Sequence, residues 1–331
     1  MSLFKNKKCI GWDIGSSGAR AVELVDKSGR VNLNNFAHLS YNQDINLSFT
    51  NEKNISIVTE ALRKLFYKAK FSILNSYAVI PGYYSYNQVI NFNNKYSEQQ
   101  IHNWLNNNIS RKAFSGNNIL LDWQLLSKND KQKTIFASAV SRSLVDIYKK
   151  MFKDAGLKLL GIETSYHALI RSLFGTDNTN AIIIDIGSKF SDITIIKNNI
   201  PYATKSLNYG GQNITNELSS QLKVGLDQAE QIKKDAIAVD KKLISKVKKE
   251  INILLEKYHQ DNQDKGPDKI LLTGGELRND ENSKLFKKYF NIDAYLANPW
   301  SRILYNIDLK KHLDDIAPNF AVAVGSAMKS F

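Results

Sequence analysis

The sequence predicts an α/β protein of two lobes of related construction, with an α+β subdomain inserted into the first. Three observations carry this. The stretch GWDIGSSGARAVEL at 11–24 returns in close paraphrase as IDIGSKFSDITII at 184–196, and the two aspartates, Asp13 and Asp185, lie 172 positions apart (185 − 13). Each copy sits in a three-strand meander followed by helices, the pattern of a repeated α/β unit. A strand-rich stretch with a helix of its own interrupts the first copy. The expected boundaries are 1–76 and 142–178 for the first lobe, 77–141 for the insert and 179–331 for the second lobe, within which 208–268 forms a helical subdomain.

Taken in order, residues 9–25 alternate as a strand, turn at Gly15–Gly18, and alternate again. A second turn at DKSGR leads to the strand VNLNNFAHL. A glycine after Asp-Ile permits a tight turn that a side chain would obstruct. Ile55, Val58, Leu62, Leu65 and Phe66 then fall on one stripe of a helix over 54–70. In the insert, 76–92 is strand-rich. Ser97 and Gln100 form a capping box for a helix through Ile101, Trp104, Leu105 and Ile109, and 118–140 reads as a strand pair around a polar turn. Trp104 and Trp123 read as packing residues. A helix from Ser143, stopped by Gly156, returns the chain to the first lobe. The second meander runs through strands at 181–186 and 192–196 and a turn at KNNIP into YATKSLNYG. Two helices follow, the second over 226–237 with Asp227 as its N-cap.

The net charge of +13, from 45 basic and 32 acidic side chains, raises the question of an anionic partner. Much of it lies in 240–260, where Leu243, Val247, Ile251, Leu254 and Tyr258 recur at helical spacing with lysines between them. That is an amphipathic helix with a solvated lysine face. The aromatic-basic pattern of RNA-binding sheets and zinc-finger spacing are both missing, so no nucleic-acid partner is expected. The five histidines show no ligand spacing with one another or with Cys9, the single cysteine, which reads as a small buried strand residue. No apolar run reaches the roughly 18–20 residues of a membrane span. The N-terminal stretch does not read as a signal peptide, so a cytoplasmic protein is expected.

Two glycine-bearing turns can each present backbone N–H groups to an anion. The hydroxyls of Ser16, Ser17 and Ser188 add donors, and Asp13 and Asp185 suit a hydrated Mg²⁺ held against a polyphosphate. The pair resembles the two phosphate motifs of the actin-like ATPase superfamily, which includes actin, the heat-shock chaperones, sugar kinases and FtsA. That fold has two duplicated ribonuclease H-like lobes. KILLTGGELRND at 269–280 resembles the third motif of that superfamily, which contacts adenosine, through Gly274, Gly275 and Glu276. AEQIKKD resembles the helix whose Glu and Lys flank ribose and adenine, at Glu230 and Lys233. GIETSYHALIRSL at 161–173 resembles the helix that links the lobes. Glu163 matches the carboxylate that positions the attacking water, and reads equally as a helix N-terminal carboxylate. The resemblance also places Gly15, Arg20, Gly187, Lys189, Gly210 and Gly211 in the nucleotide site; Arg20 reads equally as an exposed strand residue, and Lys189 could itself reach a phosphate.

Within that superfamily the chain resembles the PilM family of type IV pilus assembly over nearly its whole length. The likeness runs through DIGSSGARAVEL, LDWQLL, FASAVSRSLVDIYKKMFKDAGLKLLGIE, YGGQNIT with Gly210 and Gly211, ANPW and FAVAVGSAMKS. It implies an FtsA-type insert, ATP or ADP with Mg²⁺ as cofactors, and a groove between first lobe and insert that takes the cytoplasmic N-terminal tail of an inner-membrane partner, PilN-like. Membrane contact would then run through that partner only, with the protein peripheral to the inner membrane. The amphipathic membrane helix that usually ends FtsA is not expected after Phe331. The family usually has lysine at Arg20, and Lys189 stands in a glycine run of the chaperones, so slow or absent hydrolysis is expected. The rival readings are a small-molecule kinase of the same superfamily and an FtsA-like cytoskeletal protein that self-associates.

Overall fold

The structure is a computed structural model and describes residues 7–47, 51–113, 118–176, 178–235, 241–277 and 280–331. Its first sheet contains β1 (Lys8–Ile14), β2 (Gly18–Lys27), β3 (Arg30–Ser40), β4 (Asn75–Ile80) and β8 (Lys158–Thr164), in the order β3-β2-β1-β4-β8. The second contains β9 (Ala181–Ile186), β10 (Ser191–Lys197), β11 (Ile200–Leu207), β12 (Lys269–Thr273) and β13 (Asp293–Leu296), in the order β11-β10-β9-β12-β13. The orders match strand for strand: an antiparallel meander, then two parallel strands. The central strands β1 and β9 carry the Asp-Ile-Gly-Ser words and are sealed on both faces, which explains their near-continuous apolar composition.

The layers follow from those faces. Ile10, Trp12 and Ile14 of β1 pack under α1 (Glu52–Lys68) and α3 (Arg142–Asp154). Full burial of a side chain as large as Trp12 contributes about 3 kcal/mol. Ile182, Ile184 and Ile186 of β9 pack under α7 (Lys241–Asp261) and α8 (Asp280–Phe290). Between the sheets lie α4 (Ser165–Leu173) and α9 (Lys310–Ala327), whose Ala168, Leu169, Ala321 and Val322 meet Val79 on one side and Ile183 on the other. Of the expected stripe in α7, Leu243, Val247, Ile251 and Tyr258 are buried and Leu254 is partly buried against them. Next to it in the second lobe stand α5 (Gly211–Leu222) and α6 (Leu226–Asp235).

The insert is a three-stranded sheet, β5 (Ser85–Asn93), β6 (Ile119–Lys128) and β7 (Gln132–Ser141), in the order β5-β7-β6. Helix α2 (Glu98–Ala113) covers it with Ile101, Leu105 and Ile109, and Trp104 and Trp123 pack at the margin. The capping box forms as read: Ser97 N–H donates to Gln100 Oε1 at 2.8 Å, and Gln100 N–H to Ser97 Oγ at 3.2 Å.

Four expectations are corrected. Strand β4 pairs with β1 and β8, so the insert begins after Ile80, not at 77. Residues 299–331, expected within the second lobe, pack on the first sheet and only border the second: Trp300 and Phe320 bury against Val22 and Leu24, while Ala321 and Val322 touch Ile183. The ANPW motif is the anchor, since Asn298 Oδ1 accepts from Trp300 N–H at 3.1 Å and Trp300 Nε1–H donates to Leu313 O at 2.8 Å. Residues 161–164, read as helix, continue β8, because β4 offers them an open parallel edge. Asp227 lies in the first turn of α6 and not at its cap. The end of that helix at 236–237 and the start of the lysine helix at Asp240 lie outside the described residues.

Candidate functional site

The two hairpin turns are built alike. Gly15 N–H donates to Gly18 O at 2.9 Å, and Gly187 N–H to Phe190 O at 2.9 Å. Both turns face a cleft of about 500 Å³ between the sheets. The structure brings to its walls Asp13, Gly15, Ser16, Ser17 and Arg20 from the first hairpin, and Asp185, Gly187, Ser188 and Lys189 from the second. Glu230, Lys233, Gly274, Gly275 and Glu276 join them there.

Register sets the chemistry of each hairpin. Arg20 stands opposite Asp13 on β2, and its Nη1 meets Asp13 Oδ2 at 3.2 Å. The equivalent position opposite Asp185 is Asp192, a carboxylate. The first hairpin thus carries an ion pair and the second an acidic pair. Burial pushes Asp185 up to about 7, with Asp192 and Asp13 adding to the rise. Burial likewise pushes Asp192 up to about 6, against hydrogen bonds from Ser206 Oγ and the Gly82 backbone. Asp13 is raised by burial, with the Arg20 guanidinium opposing.

The far end of the cleft is a paired cluster. Lys233 Nζ reaches Glu230 at 2.8 Å, Glu276 at 3.0 Å and Gly211 O at 3.1 Å, and Thr215 Oγ1–H donates to Glu230 at 2.6 Å. Glycine is required at 274: φ is +102°, and a Cβ there would lie 2.2 Å from Ile186 O and 2.7 Å from Asp185 Oδ1. This folds the end of β12 onto the end of β9. The Pro318 carbonyl of α9 fixes it from the other side, accepting from Thr273 Oγ1–H at 2.7 Å and Gly274 N–H at 3.1 Å.

The walls fit a hydrated divalent cation with a polyphosphate. The carboxylates are oxygen donors crowded against one another, and Arg20 is paired with only one of them. Tyr41 Oη and Asn319 Oδ1 line the same space, buried and without a hydrogen-bond partner. Among the described residues no three His, Cys, Asp or Glu side chains form a metal cage. Asp13 and Asp185 would therefore hold the ion with water and phosphate oxygens completing its shell.

Two expected positions are not on the wall, and one is elsewhere altogether. Gly210 and Gly211 lie beneath the second turn: Gly211 N–H donates to Gly187 O at 3.0 Å and Gln212 N–H to Ser188 O at 2.8 Å. The first donors of α5 are thus spent on orienting the turn. Glu163 is outside the cleft. It sits on β8, its side chain 6% exposed, gripped by Arg171 at 2.6 and 2.7 Å and by Lys329 at 3.0 Å. Burial would raise its pKa, but Arg171 and Lys329 hold it below the usual carboxylate value. A carboxylate so engaged does not reach the phosphate turns. Of the residues the sequence reading missed, Asp192 was accessible by counting hairpin register from the repeat. Tyr41 and Asn319 arrive from separate elements and carry no local signal.

Glu163 belongs to a second groove, of about 560 Å³, between β6 and β8. Each is an edge strand of its sheet. Leu120, Leu121, Leu160 and Ile162 make its apolar wall, and Lys149, His167, Arg171 and Lys329 line its rim. Leu160 is 43% exposed. Burial pushes His167 down to about 4, so it is neutral at pH 7.

A sequence profile of the type IV pilus assembly protein PilM family matches residues 11–331. Among solved structures, a PilM–PilN type IV pilus biogenesis complex is similar with a TM-score of 0.82 at 18% identity, over 97% of this chain and 98% of that one. The ethanolamine utilization protein EutJ from Carboxydothermus hydrogenoformans follows at 0.57 and 15%, over 97% and 89%. MreB 5 of Spiroplasma citri, bound to AMPPNP, matches at 0.53 and 12%, over 97% and 95%. The shared architecture is the actin-like ATPase fold.

Proposed function

The chain belongs to the PilM family of type IV pilus assembly proteins, and from that premise we propose that it is a cytoplasmic scaffold with two ligands. ATP or ADP with Mg²⁺ occupies the cleft, and the cytoplasmic N-terminal tail of a PilN-like inner-membrane protein occupies the groove. The two matching sheets are read as duplicated ribonuclease H-like units with an FtsA-type insert. The protein sits at the inner membrane through its partner. No described helix is long and apolar enough to cross a bilayer.

The observation that carries this reading is the second groove. It is separate from the cleft, apolar along one wall, and flanked by two strand edges that an extended peptide can join. A PilM relative has been solved in complex with PilN, and an MreB relative with AMPPNP. In the cleft, Ser16, Ser17 and Ser188 and the turn amides bind and orient phosphates. Lys233, Glu230, Gly274 and Glu276 bind the nucleoside. The metal, when bound, neutralises phosphate charge. With Glu163 held by Arg171 and Lys329, the carboxylate expected to position water is withdrawn, which supports slow or absent hydrolysis.

The two sites share two helices. In α4, Ser165 lines the cleft while His167 and Arg171 line the groove; in α9, Asn319 lines the cleft, and Lys329 beyond its end lines the groove. A nucleotide that shifts either helix changes the groove. The test is titration of a PilN-like tail peptide with and without Mg-ATP. Different affinities are expected, because a ligand shifts an equilibrium only by its differential affinity for the two states. Equal affinities would remove the coupling, and no binding would remove the scaffold reading.

A further inference from the structure

Lys189, in the second turn, points across the cleft mouth to the first lobe, where its Nζ lies 3.5 Å from Asp44 Oδ2. Asp44 belongs to the loop that follows β3, and that loop is pinned to the first turn. Ile45 N–H donates to Ser16 O at 2.7 Å and Tyr41 N–H to Ser17 O at 2.9 Å. Leu47 N–H donates to Tyr84 Oη at 2.9 Å, and Ile45 and Leu47 are both buried. The backbone that carries Asp44 is thus fixed on both sides, and the longer lysine side chain is the member with the reach to change partner.

We propose that Asp44 and Lys189 form a latch across the cleft, opened when a nucleoside triphosphate takes Lys189 for its terminal phosphate. Lys189 is then the residue that distinguishes triphosphate from diphosphate. The inference rests on the nucleotide reading of the cleft. On that reading the nucleoside lies by Glu230, Lys233 and Glu276, and the terminal phosphate is the part nearest the turns. A diphosphate leaves that place vacant and the latch shut.

The exchange is energetically feasible. The pair is single and partly solvated, its side chains 31% and 26% exposed, the class of ion pair that contributes least. A terminal phosphate carries more charge than a carboxylate and offers more acceptor oxygens. The latch also ties the lobes together, beside the Tyr83–Phe190 ring stack at 4.1 Å, which bridges the entry to the insert and the second turn. Opening it exchanges a contact within the chain for one made through the nucleotide.

The test is calorimetric titration of full-length protein with Mg-ATP and with Mg-ADP, for the wild type, Asp44→Asn, Lys189→Met and the double variant. Unchanged thermal unfolding verifies the fold of each, and Lys189→Arg serves as the charge-conserving replacement. Loss of the lysine should weaken ATP about tenfold, the scale of one charge-assisted hydrogen bond, and leave ADP unchanged. Asp44→Asn should tighten ATP several-fold, by removing the competitor, again with ADP unchanged. The double variant should match Lys189→Met. Equal weakening of ATP and ADP, or no gain from Asp44→Asn, overturns the latch while leaving the nucleotide reading intact. A wild type that binds neither nucleotide overturns both.

Discussion

Asp185 shows how the site is maintained at a cost to stability. Burial, then Asp192 and Asp13, push its pKa from 3.8 to about 7. Between those values the folded chain holds a proton that the unfolded chain has released, so this contribution to stability falls as pH rises, and the loss is complete above about 7. His167 works in the opposite sense, since its depressed pKa makes stability rise between about 4 and 6.5. Comparison with Asp185→Asn at each pH isolates the aspartate. The variant should unfold at a higher temperature than the wild type, by a margin that grows from pH 5 to pH 8, while losing Mg-dependent nucleotide binding. A margin that shrinks with pH would refute this account. Glu163 gives the converse case. Glu163→Gln leaves Arg171 and Lys329 without their buried counter-ion, and should cost about 3 kcal/mol in denaturant unfolding at pH 7. Nucleotide affinity should not change; a large loss would restore Glu163 to the cleft.

At the scale of elements, the hairpins were legible because their pairing is local: register and turn chemistry are written in adjacent residues. The Asp-Ile-Gly-Ser repeat therefore located both turns and both aspartates. Residues 161–164 were misread because short apolar-polar runs suit helix and strand alike, and the open edge of β4 decided between them. Helix α9 makes contacts that its own sequence does not announce. It crosses β1 over Gly11, where a Cβ would lie 2.2 Å from Ala323 O, and crosses α4 at Gly325, where a Cβ would lie 1.8 Å from Ala168 O. No rotamer relieves a clash with backbone. Gly325→Ala should therefore force the two helices apart and destabilise the protein by about 3 kcal/mol, read as a lowered unfolding midpoint. An unchanged midpoint would mean that the crossing is loose.

For the whole molecule, the arrangement is five layers, helix–sheet–helix–sheet–helix, with both candidate sites meeting the central helix layer. The cleft lies between the sheets at the carboxyl ends of their central strands, and the groove lies where the insert's edge strand β6 faces β8. A polar substitution in the groove should separate the two ligands. Leu160→Asp places a charge on its apolar wall and should abolish tail-peptide binding while leaving Mg-ATP affinity unchanged. Loss of both would mean that the substitution acts through the fold, and retention of both would exclude the groove as the tail's seat.

The amino-acid order alone determined the repeat, the two-lobe class, the turn glycines and the two aspartates that the turns bring to the cleft, because strand pairing and tight turns depend on near neighbours. Only the tertiary structure decided that Glu163 pairs with Arg171 and Lys329 away from the cleft, that β4 stays in the first sheet, and that residues 299–331 return to it. It alone brought Asp44 to Lys189 and Asn319 to the cleft. Those outcomes depend on which open edge or apolar face is left for a distant segment to cover, and no local pattern specifies that.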